Sequence, residues 1–130
     1  MIAVDTSALM AIVLDEEEGP SCMATLQADN HLLISAGTVT EVLIVAQARN
    51  SRDDVQTLID ELGFEIVPVT NASARRAVDA HAKWGRGAKT AGLNFGDCFA
   101  YDVAKANDCP LLYVGRDFAK TDVKSALRRK

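Results

Sequence analysis

The stretch Ile2-Ala3-Val4-Asp5-Thr6-Ser7-Ala8-Leu9 decides the fold. Three apolar residues run unbroken into Asp5-Thr6-Ser7, and good helix formers continue from Ser7 to Leu14. A short apolar run marks a strand buried on both faces, and a small polar residue at its end marks a helix N-cap. The same strand-into-helix pattern returns along the chain. A helix restarts at Gly19-Pro20-Ser21 and reaches about Asp29, and His31 to Ile34 reads as a second strand. Thr38 to Arg49 is amphipathic, with Val39, Val42, Leu43 and Ala46 at helical spacing. Ser51 to Leu62 is a helix closed by Gly63, and Phe64 to Val67 is a third strand stopped by Pro68. Asn71 to Trp84 is helical, with Ala74, Val78 and His81 on one stripe. A Gly-rich connector, Gly85 to Gly92, leads to a helix from Phe95 to Asn107 and a fourth strand from Leu111 to Val114. Asp122 to Arg129 reads as a terminal helix.

Strands alternating with helices, with no hairpin signal, predict a parallel sheet covered on both faces. The expectation is one α/β domain over residues 1–130, with a central sheet of four to five strands and no internal repeat. A length of 130 residues, 48% apolar and 25% charged, suits such a core and excludes a disordered chain. The apolar run from Ala8 to Leu14 is too short to span a bilayer, and no basic N-terminal region precedes it, so no membrane association is expected. Cys22, Cys98 and Cys109 are odd in number and lack CxxC spacing. A zinc site or disulfide framework is therefore not expected, and the predicted compartment is the reducing cytoplasm.

The topology carries the chemistry. In a parallel sheet the carboxyl ends of all strands share one edge, and ligand sites of open α/β sheets lie there. Four acids map to that edge: Asp5 at the end of the first strand, Glu41 in the first turn of the helix after the second, Asp97 in the first turn of the helix returning to the fourth, and Asp117 just beyond that strand. Each has a plain structural alternative. Asp5 serves equally as an N-cap, Thr38-Val-Thr-Glu41 fits a capping box, Asp97 complements a helix dipole, and Asp117 suits a turn. Together, carboxylates gathered without His or Cys form a hard-oxygen site of the kind that holds Mg²⁺ or Mn²⁺. One or two such ions support in-line displacement at a phosphodiester. Asp122 competes with Asp117 for the fourth position.

Net charge is −4, but unevenly placed. Seven acids and no Lys or Arg precede Arg49, whereas from Arg75 to Lys130 twelve Lys or Arg face six acids. A polyanion can dock on such a half. Arg86 and Lys89, in the connector beside Asp97, are candidates for contact with RNA phosphates. The same connector is not a phosphate-binding P-loop, because Ala88 rather than Gly precedes Lys89 and a helix rather than a strand comes before it.

The segments Ile2-Ala-Val-Asp5-Thr-Ser-Ala8-Leu9, Ser35-Ala-Gly-Thr-Val-Thr-Glu41, Leu93-Asn-Phe-Gly-Asp97-Cys-Phe-Ala-Tyr-Asp and Leu111-Leu-Tyr-Val-Gly-Arg-Asp117-Phe-Ala-Lys-Thr-Asp122 resemble PIN-domain nucleases. More narrowly they resemble VapC toxins of bacterial toxin–antitoxin pairs, over nearly the whole chain. The resemblance implies a three-layer α/β/α sandwich and a Mg²⁺- or Mn²⁺-dependent endoribonuclease. It also implies a homodimer and a partner antitoxin that covers the site. By position, Asp5 and Asp97 would hold the principal ion, Glu41 would help hold or orient it, Asp117 would complete the acidic cluster, and Thr6 would support it by hydrogen bonding. A metal-activated water would be the nucleophile. Many family members place Thr or Ser where this chain has Gly115. A catalytically weak RNA- or partner-binding domain of the same fold is the rival reading, and the intact acids argue against it. A DNA nuclease is disfavoured by small size and the lack of insertions that would grip a duplex.

His31, His81, Trp84 and Cys98 read as structural residues. Asp5-Thr-Ser lacks the second Asp, two residues later, that would suggest a phosphotransferase. Neither the RNA target nor the antitoxin can be named from these residues.

Overall fold

The computed structural model describes residues 1–87 and 91–127. Strands β1 (Ile2–Val4), β2 (Leu32–Ser35), β3 (Glu65–Val67) and β4 (Leu111–Leu112) form one parallel sheet in the order β3-β2-β1-β4. Between them run α1 (Thr6–Val13), α2 (Gly19–Gln27), α3 (Ala36–Ala48), α4 (Arg52–Leu62), α5 (Asn71–Trp84) and α6 (Phe95–Ala106). This is the α/β sandwich with a parallel sheet that the alternation predicts.

Handedness explains the layers. Crossovers between parallel strands are right-handed. From β1 through β2 to β3 the chain steps one way, so α1 to α4 lie on one face. It then returns past β2 and β1 to β4, which carries α5 and α6 to the other. Strands β1, β2 and β4 are buried on both sides because both faces are covered there, whereas the edge strand β3 leaves Glu65 and Ile66 exposed. Ile2, Val4, Leu32, Ile34 and Leu112 face a core with Leu9, Leu26, Val42, Val55 and Ile59. Ala3, Leu33 and Leu111 face a second core with Ala77, Leu93, Tyr101 and Val103. That alternation is the two-residue period of a strand. The crossover leaving β1 and the crossover reaching β4 lie on opposite faces, so the switch point of the sheet lies at the carboxyl ends of these two neighbouring strands.

Three sequence expectations are corrected. The segment from Asp122 to Leu127 is not helical; residues 128–130 lie outside the described part. Ser125 instead bridges Leu111 in parallel, with Leu111 N–H donating to Lys124 O at 2.8 Å and Ala126 N–H to Leu111 O at 2.9 Å. The apolar residues Val123, Ala126 and Leu127 pack on the sheet edge, and covering that edge outweighs their helix propensity. The only helical turn nearby among the described residues is a 3₁₀ turn at Phe118–Lys120. Strand β4 ends two residues short of Val114, since its neighbour β1 also ends as Asp5 turns into α1. On α5 the buried stripe is Ser73, Ala77 and Ala80, not Ala74, Val78 and His81. Val78 is 68% exposed. The small residues face the core because α6 packs close, and the larger ones line an outer groove. No described helix is long and apolar enough to cross a membrane.

Candidate active site

Asp5 stands at the switch point. It caps α1, its Oδ2 accepting from Ser7 N–H at 3.1 Å and from Ser7 Oγ–H at 2.7 Å. The residue is buried, and its Oδ1 is enclosed with no hydrogen-bond partner. Burial pushes the carboxyl up to about 7; the two Ser7 bonds oppose this, while Asp97 and Glu41 add to it. A rise of that size disfavours the charged form by roughly 4 kcal/mol at neutral pH. The capping contacts therefore use one oxygen of Asp5 and leave the other without a partner.

Glu41 is not in a capping box. Helix α3 is capped by Ser35, whose side chain accepts from Gly37 N–H at 3.1 Å, so Thr38 lies buried inside the first turn. Freed from capping, the Glu41 carboxylate accepts from Thr6 Oγ–H at 2.6 Å. Asp97 does form a capping box. Its Oδ2 accepts from Asn94 N–H at 3.0 Å, and its own N–H donates to Asn94 Oδ1 at 2.9 Å. Partial burial, Glu41 and Asp117 raise the Asp97 carboxyl above the ordinary range, against the Asn94 bond and Arg86.

Two glycines bring these helices together. A Cβ at Gly96 would lie 1.8 Å from Glu41 Oε2, and a Cβ at Gly37 would lie 2.7 Å from the Phe99 ring. Each helix thus offers a bare backbone to the other, and their N-terminal turns close until Glu41 reaches the start of α6.

Asp117 and Asp122 part company. Asp117, exposed after the positive-φ Gly115, contributes to the field at Asp97. Asp122 is occupied elsewhere: its Oδ1 accepts from Tyr101 O–H at 2.6 Å, and its Oδ2 pairs with Lys105 Nζ at 3.3 Å. The Tyr101 bond, then Lys105, hold its carboxyl below the usual range. Trp84 Nε1–H donates to the same Tyr101 oxygen at 3.1 Å, so this chain of contacts ties α5, α6 and the C-terminal segment together. Arg86 is exposed, with its charge felt at Asp97. Lys89 lies outside the described residues.

Among the described residues no three His, Cys, Asp or Glu side chains converge tightly enough to ligate an ion as they stand. The chemistry of the cluster nonetheless fits a hard divalent cation. The donors are all carboxylates, Asp5 and Asp97 are held above their ordinary pKa, and one buried oxygen of Asp5 lacks any partner.

The model of the PIN domain family matches residues 2–124 of this chain. The chain belongs to the PIN-domain family. Ribonuclease VapC28 of Mycobacterium tuberculosis is 41% identical over 133 residues, an alignment covering 98% of each chain. Among solved structures, Mycobacterium tuberculosis VapC20, titled a sarcin–ricin loop cleaving toxin, superposes with a TM-score of 0.77 at 13% identity, covering 95% of this chain and 96% of that one. A toxin–antitoxin complex from Klebsiella pneumoniae gives 0.67 at 20% identity, covering 94% and 93%. Its curated relatives place this PIN domain among the VapC ribonucleases.

Sequence reasoning missed Ser7, Asn94, Gly37 and Gly96 of this PIN domain. Asn94-Phe-Gly-Asp97 does carry the spacing of a capping box. Glycines in the first turns of two helices, where each costs about 1 kcal/mol relative to Ala, signal a packing reason. Nothing local pointed to Ser7 as a bridge to β4.

A carboxyl raised in the folded state binds its proton more tightly there than in the unfolded chain. The metal-free protein is therefore relieved of this penalty below about pH 4 and loses stability as pH rises towards 7. Melting curves in chelator at pH 5.5 and pH 8 should show a larger loss for wild type than for Asp5→Asn; parallel losses would refute the buried-charge account. Gly96→Ala should leave melting unchanged or slightly raised, since Ala gains up to about 1 kcal/mol in a helix and Glu41 is a flexible neighbour. Displacing Glu41 should lower nuclease activity roughly 10- to 100-fold. Full activity in that variant would show that Glu41 need not sit there.

Proposed function

We propose that this chain is a Mg²⁺- or Mn²⁺-dependent endoribonuclease that hydrolyses RNA phosphodiester bonds, acting as the toxin of a toxin–antitoxin pair. The observation that carries this reading is the unpartnered Oδ1 of buried Asp5, with Glu41 and Asp97 near enough to raise its pKa. A carboxylate so placed gains most from a cation, because burial strengthens the attraction that water would screen.

Asp5 and Asp97 would hold the principal ion. Glu41, fixed by Thr6, would complete or orient its shell, and Asp117 would close the outer side. When bound, the ion supplies neutralisation of phosphate charge and a lowered pKa for water. The protein's own part is positioning. Asn94 holds Asp97, Thr6 holds Glu41, and Gly96 leaves the space between them. Arg86, exposed and with its charge felt at Asp97, would take an RNA phosphate, with the basic residues of the C-terminal half as further contacts.

An RNA cleavage assay with Mn²⁺, Mg²⁺ and chelator tests the mechanism. Asp97→Asn and Asp117→Asn should lose activity by on the order of 100-fold or more. Asp122→Asn should cleave like wild type while melting lower, since its contacts are structural. Activity that survives chelation, or an unaltered Asp97→Asn, would overturn the mechanism; loss in Asp122→Asn at a temperature where it is folded would reassign the fourth acid.

The same reading includes protein partners, a second copy of the chain and an antitoxin. Phe95 is 79% exposed and Ile44 63% exposed. Phe95 and Phe99 together line two adjoining apolar grooves, one with Ile44 and Val45, the other with Val69 and Val78. Contiguous apolar surface of this kind supports association. Sedimentation should give a dimer for wild type and a shift towards monomer for Phe95→Asp; a monomeric wild type, or an undisturbed dimer in the variant, would remove this face from the assembly.

A further inference from the structure

The Ser7 hydroxyl carries two hydrogen bonds of fixed polarity. Val114 N–H, just beyond β4, donates to Ser7 Oγ at 3.0 Å. That contact occupies a lone pair, so the hydroxyl's own proton is directed to Asp5 Oδ2, 2.7 Å away. Ser7 N–H reaches the same oxygen at 3.1 Å. Both bonds therefore fall on Oδ2 and neither falls on Oδ1, the buried oxygen without a partner. Turning the carboxylate about its Cβ–Cγ bond would break the pair of contacts. The two oxygens are thereby made inequivalent.

We infer that Ser7 is a positioning residue, which clamps one oxygen of Asp5 and reserves the other for the divalent cation. Because the same hydroxyl receives a backbone donor from the end of β4, it also fixes Asp5 relative to the segment that leads to Asp117. The requirement is for a hydroxyl, since only a group that accepts and donates at once can join an N–H to a carboxylate. Helix capping alone does not need it: Ser7 N–H already satisfies the capping bond to Asp5. This inference rests on the metal-dependent reading of the site.

The test is calorimetric titration of the full-length chain with Mn²⁺, for wild type, Ser7→Ala and Ser7→Thr, alongside melting of each metal-free protein. Ser7→Ala should bind Mn²⁺ roughly 10- to 100-fold more weakly at a temperature where it is fully folded. Ser7→Thr, which keeps the hydroxyl, should return close to wild type. A purely structural role would lower melting without changing the affinity of the folded protein. Wild-type affinity in Ser7→Ala, or equal losses in Ala and Thr variants, would overturn the inference and leave the metal site standing. Failure of wild type itself to bind Mn²⁺ would overturn the metal reading and this inference with it. Should Ser7→Ala not fold, Ser7→Cys carries the comparison: its weaker donor should give reduced affinity, and unchanged affinity would refute the role.

Discussion

The central constraint is a carboxylate held out of water. Asp5 terminates β1 at the switch point, between β2 and β4. Three needs meet there. The first turn of α1 requires an acceptor for its free N–H groups, the crowded core excludes solvent, and the neighbouring acids add negative potential. The protein meets the first with one oxygen and leaves the second oxygen bare. On the proposed reading, stability and chemistry would draw on opposite sides of the same group.

The supporting residues follow from that arrangement. Glu41 and Asp97 sit on helices from opposite faces of the sheet, and those helices meet only because Gly37 and Gly96 remove the side chains that would separate them. Thr6 Oγ–H and Asn94 N–H then each donate one hydrogen bond to a carboxylate, and Asn94 Oδ1 also accepts from Asp97 N–H. On the far side of α6, Asp102 is buried against Arg76 at 2.7 Å and Asp122 is bonded to Tyr101 and Lys105. Among the described residues, Asp5, Glu41, Asp97 and Asp117 make no ion pair of this kind. That difference supports the proposal of Asp117 over Asp122 as the fourth acid.

Much of this was legible in the chain. The apolar runs Ile2–Val4 and His31–Ile34 ending in polar caps gave the parallel α/β fold, because buried strands feeding helices have few other arrangements. The edge acids were legible for the same reason: position at a strand's carboxyl end is a topological property, which periodicity reveals. What could not be read was anything requiring distance between remote segments. The Ser7 hydroxyl bonds an amide 107 residues away, and the Gly96 gap is defined by a carboxylate on α3. The C-terminal segment misled for a related reason. Its local propensity favours a helix, but an open sheet edge beside Leu111 offers backbone partners that propensity does not weigh. The displaced stripe on α5 shows the limit of polarity as a guide, since small residues rather than the larger apolar ones occupy the tight contact with α6.

The groove that Phe95 lines also contains Glu41 and Gly96. The exposed apolar surface and the acidic cluster therefore share a border. Anything that settles on the exposed ring stands next to the acid. On the proposed reading, a partner seated there would restrain the chemistry by occupancy rather than by altered shape. Silence would then depend on how much partner is present and how tightly it holds, and would be lifted by its dilution or removal.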